Sequence, residues 1–478
     1  MSLQYHCVRL TIDELSKSGS GKGKWITEEE NAFFVEVPFS IPGDDGFVHI
    51  RKGKKKGALQ GTVVEWVALS TDRVVPRCKH FETCGGCIWQ HIPYQKQIQQ
   101  KEIWIQDLFR PFLCEKSRVY SIIACDSPWQ YRNKMELTFS SDKQGKKYLG
   151  LIMYDSRGRV FQLSECHLMN PWMNDAVAAV RNWWLASDLL AYQATHDQGT
   201  LRTLTLREGQ KTGDRMIVLT VSGNPKYALR SMQLRELVEV LQKTITPSFP
   251  GSALSIFLRI QQIAKGKKTE FFEMHLFGPA WIREILRTGT QEEKDSFEFK
   301  ISPTAFFQPN TGQAEKLYSQ AAALANISSN AIVYDLYCGT GTIGICLAKS
   351  VKKVVGIECN LQAALDAKEN AHSNHIDNFV IRTGNVEEVL PHVLKEEGTP
   401  DVVFVDPPRA GLAPQALAHL LNIKSPTIVY ISCNPATQAQ NIQVLIEGGY
   451  QISALQPVDQ FPHTIHVENI VVLERQNY

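Results

Sequence analysis

The sequence predicts an α/β protein. Its C-terminal third reads as a doubly wound, Rossmann-like sheet, preceded by an α+β central domain and an N-terminal OB-like β-barrel. Three observations carry this. Beyond residue 330, short apolar strands alternate with helical stretches, the pattern of a parallel sheet with helices on both faces. Between 200 and 275, strand follows strand at 203–207, 216–221, 255–260 and 271–276. Before residue 70, short strands are separated by turn chemistry. The expected domains are 1–73, 74–298 and 299–478.

Composition narrows the possibilities. Of 478 residues, 43% are hydrophobic and 21% charged, ordinary proportions for globular protein with sizeable cores. A formal net charge of +2 excludes a bulk polycation, so nucleic-acid contact would have to come from local patches. No apolar run approaches the roughly 20 residues that span a bilayer. Residues 1–10 carry His6 and Arg9 and lack an apolar signal core. The expectation is a soluble cytoplasmic protein without membrane contact, and a monomer.

In the first domain, strands are expected at 7–14, 33–37, 47–50 and 61–69, with a turn at 42–46. Residues 18–24, Ser-Gly-Ser-Gly-Lys-Gly-Lys, read as a flexible basic loop. The basic run at 51–57 reads either as a solvated loop or as a phosphate contact.

The 11 cysteines are not spread like a disulfide scaffold, since Cys78, Cys84 and Cys87 crowd into C-x5-C-x2-C. Gly85 and Gly86 are expected to let the backbone fold tightly around one centre. Cys166, in Ser-Glu-Cys-His, is the best candidate for a fourth ligand. Such thiolate sets hold zinc or an iron–sulfur cluster, and the spacing leaves both open. Residues 93–109 then read as a helix, as do 172–186. Residues 129–134, Trp-Gln-Tyr-Arg-Asn-Lys, mix rings and cations ahead of a strand at 135–139, which suits single-stranded RNA or simple edge packing.

The last third carries the chemistry. A strand at 332–336 leads into Gly339, Gly341 and Gly344, which fit G-x-G-x-x-G, and Glu358 ends the next strand where an acid accepts bonds from ribose hydroxyls. Further strands are expected at 379–382, 402–405, 428–431 and 469–473. Asp406, fixed by Pro407 and Pro408, follows one of them. Cys433, in Ser-Cys-Asn-Pro, follows another, at the rim where open α/β sheets bind ligands. Glu468 precedes the last strand. A thiol nucleophile with a carboxylate base suits methylation of a pyrimidine at C5: thiolate addition to C6 makes C5 nucleophilic, and a base then removes the C5 proton. The target base has to leave its stack, and Phe306, Phe307 and Gln308 offer aromatics and an amide near it.

These motifs resemble those of the RNA 5-methyluridine methyltransferases, particularly the type acting on 23S ribosomal RNA. The matching segments are S-P-T-A-F-F-Q-P-N at 302–310, D-L-Y-C-G-T-G at 335–341, D-P-P-R at 406–409, S-C-N-P at 432–435 and F-P-H-T-I-H-V-E at 461–468, with C-x5-C-G-G-C-x2-Q-H at 78–91. The resemblance covers most of the chain, and the first seventy residues resemble a divergent TRAM (OB-like) domain. It implies a class I methyltransferase domain with Cys433 as nucleophile and Glu468 as base. It implies S-adenosylmethionine held by Gln308, Tyr337, Thr342, Glu358, Asn385 and Asp406, and a [4Fe–4S] cluster on Cys78, Cys84, Cys87 and Cys166. It also implies that the helix near 93–111 packs on the catalytic domain. Tyr337 and Thr342 stand where the family often has Phe and Asn. The expected substrate is a flipped-out uridine of 23S rRNA, since tRNA-specific relatives are taken to lack both the cluster and the N-terminal domain. The alternatives are a tRNA uridine-C5 enzyme, a non-catalytic RNA-binding assembly factor, and an NAD enzyme resting on the glycine motif alone.

Overall fold

The structure is a computed structural model that describes residues 7–27, 30–53, 59–245, 249–263, 266, 269–289 and 294–476. The N-terminal strands are β1 (Cys7–Thr11), β2 (Glu14–Leu15), β3 (Gly21–Ile26), β4 (Ala32–Val37), β5 (Asp45–Lys52) and β6 (Leu59–Ala68). They form one sheet in the order β1-β5-β6-β4-β3-β2. Because β1 and β2 are consecutive, one stretch of chain lines both edges. Alternation buries Leu10, Val35, Val37, Val48 and Ile50 together.

The loop expected at 18–24 is instead largely strand β3. Gly21 and Gly23 are there for close approach: a Cβ on Gly21 would strike the Ser40 side chain, and one on Gly23 the carbonyl oxygen of Thr11. Residues 54–57 of the basic run lie outside the described residues.

The next elements are α1 (Tyr94–Phe109), β7 (Arg118–Val119), β8 (Lys134–Ser141), β9 (Lys147–Gly150), α2 (Pro171–Leu185), β10 (Leu201–Glu208), β11 (Arg215–Ser222), α3 (Ser231–Thr244), β12 (Leu254–Gln262) and β13 (Glu270–Phe277). The central sheet runs β13-β12-β11-β10-β8-β9. One face packs Leu137, Leu204, Ile217 and Leu258 against Trp184 of α2 and Leu237 of α3.

The hairpin β14 (Ile282–Gly289) and β15 (Lys294–Ile301) leads into α4 (Thr311–Ala325), β16 (Ile332–Leu336), α5 (Thr342–Ala348), β17 (Lys353–Glu358), α6 (Leu361–Ser373) and β18 (Phe379–Thr383). Then come α7 (Val386–Glu397), β19 (Val402–Val405), α8 (Pro414–Ile423), β20 (Thr427–Ser432), α9 (Pro435–Glu447), β21 (Tyr450–Val458) and β22 (Glu468–Arg475). The sheet order is β18-β17-β16-β19-β20-β22-β21-β7. Strands β16 to β20 are parallel, and β22 enters antiparallel between β20 and β21.

One face is covered by the β14–β15 hairpin, α4, α5 and α6 through Leu286, Phe297, Leu317, Ile345 and Ala367. The other is covered by α1, α7, α8 and α9 through Ile98, Leu390, Leu420 and Ile442. So α1 and β7, though early in sequence, complete the last sheet. The border expected between 298 and 299 falls inside β15.

The fold yields a test of sign. Alanine at a glycine of a flexible loop raises stability by about 0.4–1 kcal/mol, whereas an overpacked site loses about 1–3 kcal/mol. Gly23→Ala is expected to lower the urea midpoint, followed by tryptophan fluorescence. A raised midpoint would return 18–24 to a loop.

Candidate active site

The parallel strands all end at one rim, and the residues that follow them collect there. Tyr337 follows β16, Glu358 ends β17, Asn385 lies just past β18, Asp406 follows β19 and Cys433 follows β20. Because β22 is antiparallel, its first residue, Glu468, starts at the same rim. The last rung between the two strands pairs Ser432 with Asn469, and one step beyond it come Cys433 and Glu468.

Cys433 is half-buried, and Pro435 starts α9 two residues later. Burial pushes its thiol up to about 11, the carboxylates of Glu468 and Asp406 add to this, and Arg409 opposes them. Glu468 is 2% exposed and held well above the ordinary carboxyl range by burial and by Asp406, again against Arg409. Among the described residues its Oε2 has no hydrogen-bond partner. Burial raises Asp406 to about 7. A half-accessible thiol beside a buried carboxyl whose affinity for a proton is raised is an arrangement for nucleophilic addition followed by proton transfer.

The glycine turn has two functions. Gly344 lies against the Phe379 ring, where no Cβ fits, so helix and sheet pack closely. Gly339, at φ 56°, opens onto free space. Its N–H donates to Glu358 Oε2 at 2.9 Å, and Asn360 N–H donates to Oε1 at 2.7 Å, so this carboxylate is fixed at the rim. Tyr337, at φ 66°, donates its hydroxyl to Glu387 Oε1 at 3.3 Å. Thr342 Oγ1 donates to the Tyr318 hydroxyl at 3.4 Å, and Asn385 Nδ2 to Glu388 Oε1 at 3.2 Å. Buried Gln308 accepts from Gln460 Nε2 at 3.3 Å, and its carbonyl from Asn133 Nδ2 at 2.8 Å.

Sequence reading passed over Asp335 and Arg409 as site residues. Asp335 is buried in β16, raised to about 8 by burial, and its Oδ1 has no partner among the described residues. Its signal was a charge inside an apolar strand. Arg409 is visible only as the residue after Asp-Pro-Pro, and its role rests on its spatial neighbours.

Cys78, Cys84, Cys87 and Cys166 line one cavity of about 570 Å³, shared with His80, Arg132 and Tyr154. Burial raises Cys84 to about 11 and Cys87 to about 12. Among the described residues, no three His, Cys, Asp or Glu side chains converge as they would around a metal ion. Gly85 and Gly86 do not force a tight fold, because a Cβ at either would meet ordinary contacts of 3.4 Å or more. The mixed segment at 129–134 is largely packing: Tyr131 and Asn133 are buried, and Trp129 stacks on His463 at 4.0 Å.

Comparison with known proteins gives the family of the chain. A profile of the tRNA (uracil-5-)-methyltransferase family matches residues 252–476. An RNA methyltransferase of Protochlamydia amoebophila is 54% identical over 441 residues, covering 92% of this chain and 99% of its own. The chain belongs to this family of RNA methyltransferases. An RNA methyltransferase of Caldanaerobacter subterraneus is 32% identical, with 98% of both chains covered. The crystal structure of Pyrococcus abyssi tRNA (uracil-54, C5)-methyltransferase with S-adenosyl-L-homocysteine matches at TM-score 0.72 and 25% identity, over 98% of this chain and 100% of that one. The family's α/β methyltransferase fold is therefore shared.

The electrostatics of the thiol can be read directly. Only the thiolate alkylates, so with the thiol near 11 the rate at Cys433 is expected to rise about tenfold per pH unit from 8 to 10. Arg409→Met, which removes the opposing cation, is expected to slow it. Peptide mass spectrometry after iodoacetamide treatment reads both, and a plateau below pH 9 would contradict the assignment.

Proposed function

We propose that this RNA methyltransferase transfers a methyl group from S-adenosylmethionine to C5 of a flipped-out uridine. The observation that carries the reading is the register placing Cys433 and Glu468 side by side on the rim that also holds Gly339, Glu358 and Asp406. Cys433 thiolate adds to C6, and the electron pair passes to C5 and O4 as an enolate. C5 takes the methyl group from the sulfonium, Glu468 accepts the C5 proton, and the C6–S bond breaks to return the thiolate. Gln308, Tyr337, Thr342, Glu358, Asn385 and Asp406 would hold the donor; the open space over Gly339 and the fixed Glu358 carboxylate fit it. Phe306, 65% exposed in the loop that carries Gln308, offers a face for an unstacked base.

The N-terminal unit reads as an OB-like RNA-binding barrel. Its support is the strand pair lining both sheet edges, exposed Phe33 and Phe34, and Lys22 Nζ 4.0 Å from the Phe34 ring centre. The four cysteines would hold a [4Fe–4S] cluster. Four sulfur donors around one cavity suit a cluster, whose body sets its ligands further apart than a single ion does. Its task in this reading is structural or in RNA placement, and no step of methyl transfer uses it. The domains follow as 1–73, 74 to the start of the β14–β15 hairpin, and the hairpin onward together with α1 and β7.

23S rRNA is our first substrate reading. A specific observation favours tRNA as a second: a tRNA enzyme matches 98% of this chain, so its domain layout no longer separates the two substrates.

Tritium release from [5-³H]uridine RNA tests the chemistry, with rRNA fragments and tRNA offered separately. Release that requires the donor, is abolished in Cys433→Ala and falls about 10²–10⁴-fold in Glu468→Gln is expected. Full release from Cys433→Ala, or no release from either RNA with the donor present, would refute the mechanism. Iron analysis after anaerobic purification is expected to find about four irons per chain, reduced in Cys87→Ser. Zinc in their place would refute the cluster.

A further inference from the structure

The segment between β21 and β22 ends at Glu468, and parts of the chain hundreds of residues away hold it. Lys101 of α1 and Asp459 are both fully buried, with Nζ donating to Oδ1 at 2.6 Å. The same Nζ donates to the Phe461 carbonyl at 3.1 Å. The Tyr94 hydroxyl donates to Asp459 Oδ2 at 2.7 Å and accepts from Cys125 N–H at 2.8 Å. Gln97 Oε1 accepts from His463 N–H at 2.9 Å, and the Tyr131 hydroxyl donates to the Pro462 carbonyl at 3.1 Å. Ile88 and Trp89, directly after Cys87, both donate their N–H groups to the His463 carbonyl, at 3.1 and 3.2 Å.

We propose that Lys101 and Asp459 are a positioning pair that fixes the 459–467 segment and so aims Glu468 at the substrate proton. The inference rests on the uridine-C5 reading and on Glu468 as base. A buried ion pair is a poor stabiliser, because desolvation offsets most of the attraction, and an apolar pair of similar size often serves stability equally well. What an apolar pair lacks is direction. Here the two charges also bind Tyr94 and a main-chain carbonyl, so they set the path of the segment as well as filling space. Displacing a catalytic group by about 1 Å costs on the order of 10²-fold in rate. The proton-removing step should therefore suffer more than the addition step.

The two steps can be read separately. RNA carrying 5-fluorouridine accepts the Cys433 thiolate and the methyl group, but its C5 fluorine cannot leave as a proton does, so a covalent adduct accumulates without the base. Tritium release from [5-³H]uridine needs the base. Lys101→Met is expected to form the adduct at close to the native rate, to lose at least about tenfold in tritium release, and to change kcat with KM held. Tyr94→Phe, which removes one bond to Asp459, is expected to do the same more weakly, and it serves as the test if Lys101→Met does not fold. Equal losses in both assays, or no loss in either, would overturn the positioning role. Native protein that forms no adduct and releases no tritium would instead overturn the uridine-C5 reading itself.

Discussion

The site depends on one constraint, the register of β22 against β20. Parallel strands deliver their C-terminal ends to one rim, so a parallel sheet alone gathers only residues that follow strands. Glu468 begins a strand, and it reaches that rim because β22 runs the other way, between β20 and β21. Slipping that ladder by one residue would turn Glu468 to the opposite face of the sheet. The register is held by an almost wholly apolar interior: Ile470 to Leu473 are fully buried and face Ile428 to Ile431 across the ladder. The positions of Cys433 and Glu468 are thus fixed by hydrophobic burial along the ladder.

Burying Asp335, Asp406 and Glu468 close together has a cost. Each charge leaves water, and the acids repel one another, so burial favours their protonated forms. Arg409 opposes this from the rim, and its side chain lies 3.2 Å from His466 Nδ1. Stability is lost here so that a carboxyl with a free acceptor oxygen stays in the cleft. Natural sites commonly carry such orphaned groups where the chemistry needs them.

Much of this was legible in sequence. Strands β16 to β20 are buried on both faces, so they read as short apolar runs between helices, and each rim residue could be placed by the strand before it. Other features were hidden for identifiable reasons. Strand β3 looked like a loop because Gly21 and Gly23 suggest flexibility, whereas here they allow backbone contact with Ser40 and Thr11. Two-residue β7 is too short to carry a period. In hairpin β14–β15, charged residues alternate with apolar ones, and one of them, Glu284, is fully buried and accepts from the Thr311 hydroxyl at 2.7 Å. Lys101 and Asp459 lie 358 residues apart and look like surface charges until folded. The cysteine set was legible as a set, but the cavity its members line was not.

The catalytic sheet is contiguous in space without being contiguous in sequence. α1 places Ile98, Ile105 and Phe109 on the face that also buries Tyr430 and Ile442, and β7 pairs with the β21 edge. A chain starting at the β14–β15 hairpin would leave that face partly bare and that edge unpaired. The segment leading to Glu468 would also lose Tyr94, Gln97 and Lys101. The cysteine motif precedes α1 by only a few residues and bonds to the same segment through Ile88 and Trp89. The early chain therefore completes the late site, and the connection runs through main-chain hydrogen bonds and a buried ion pair.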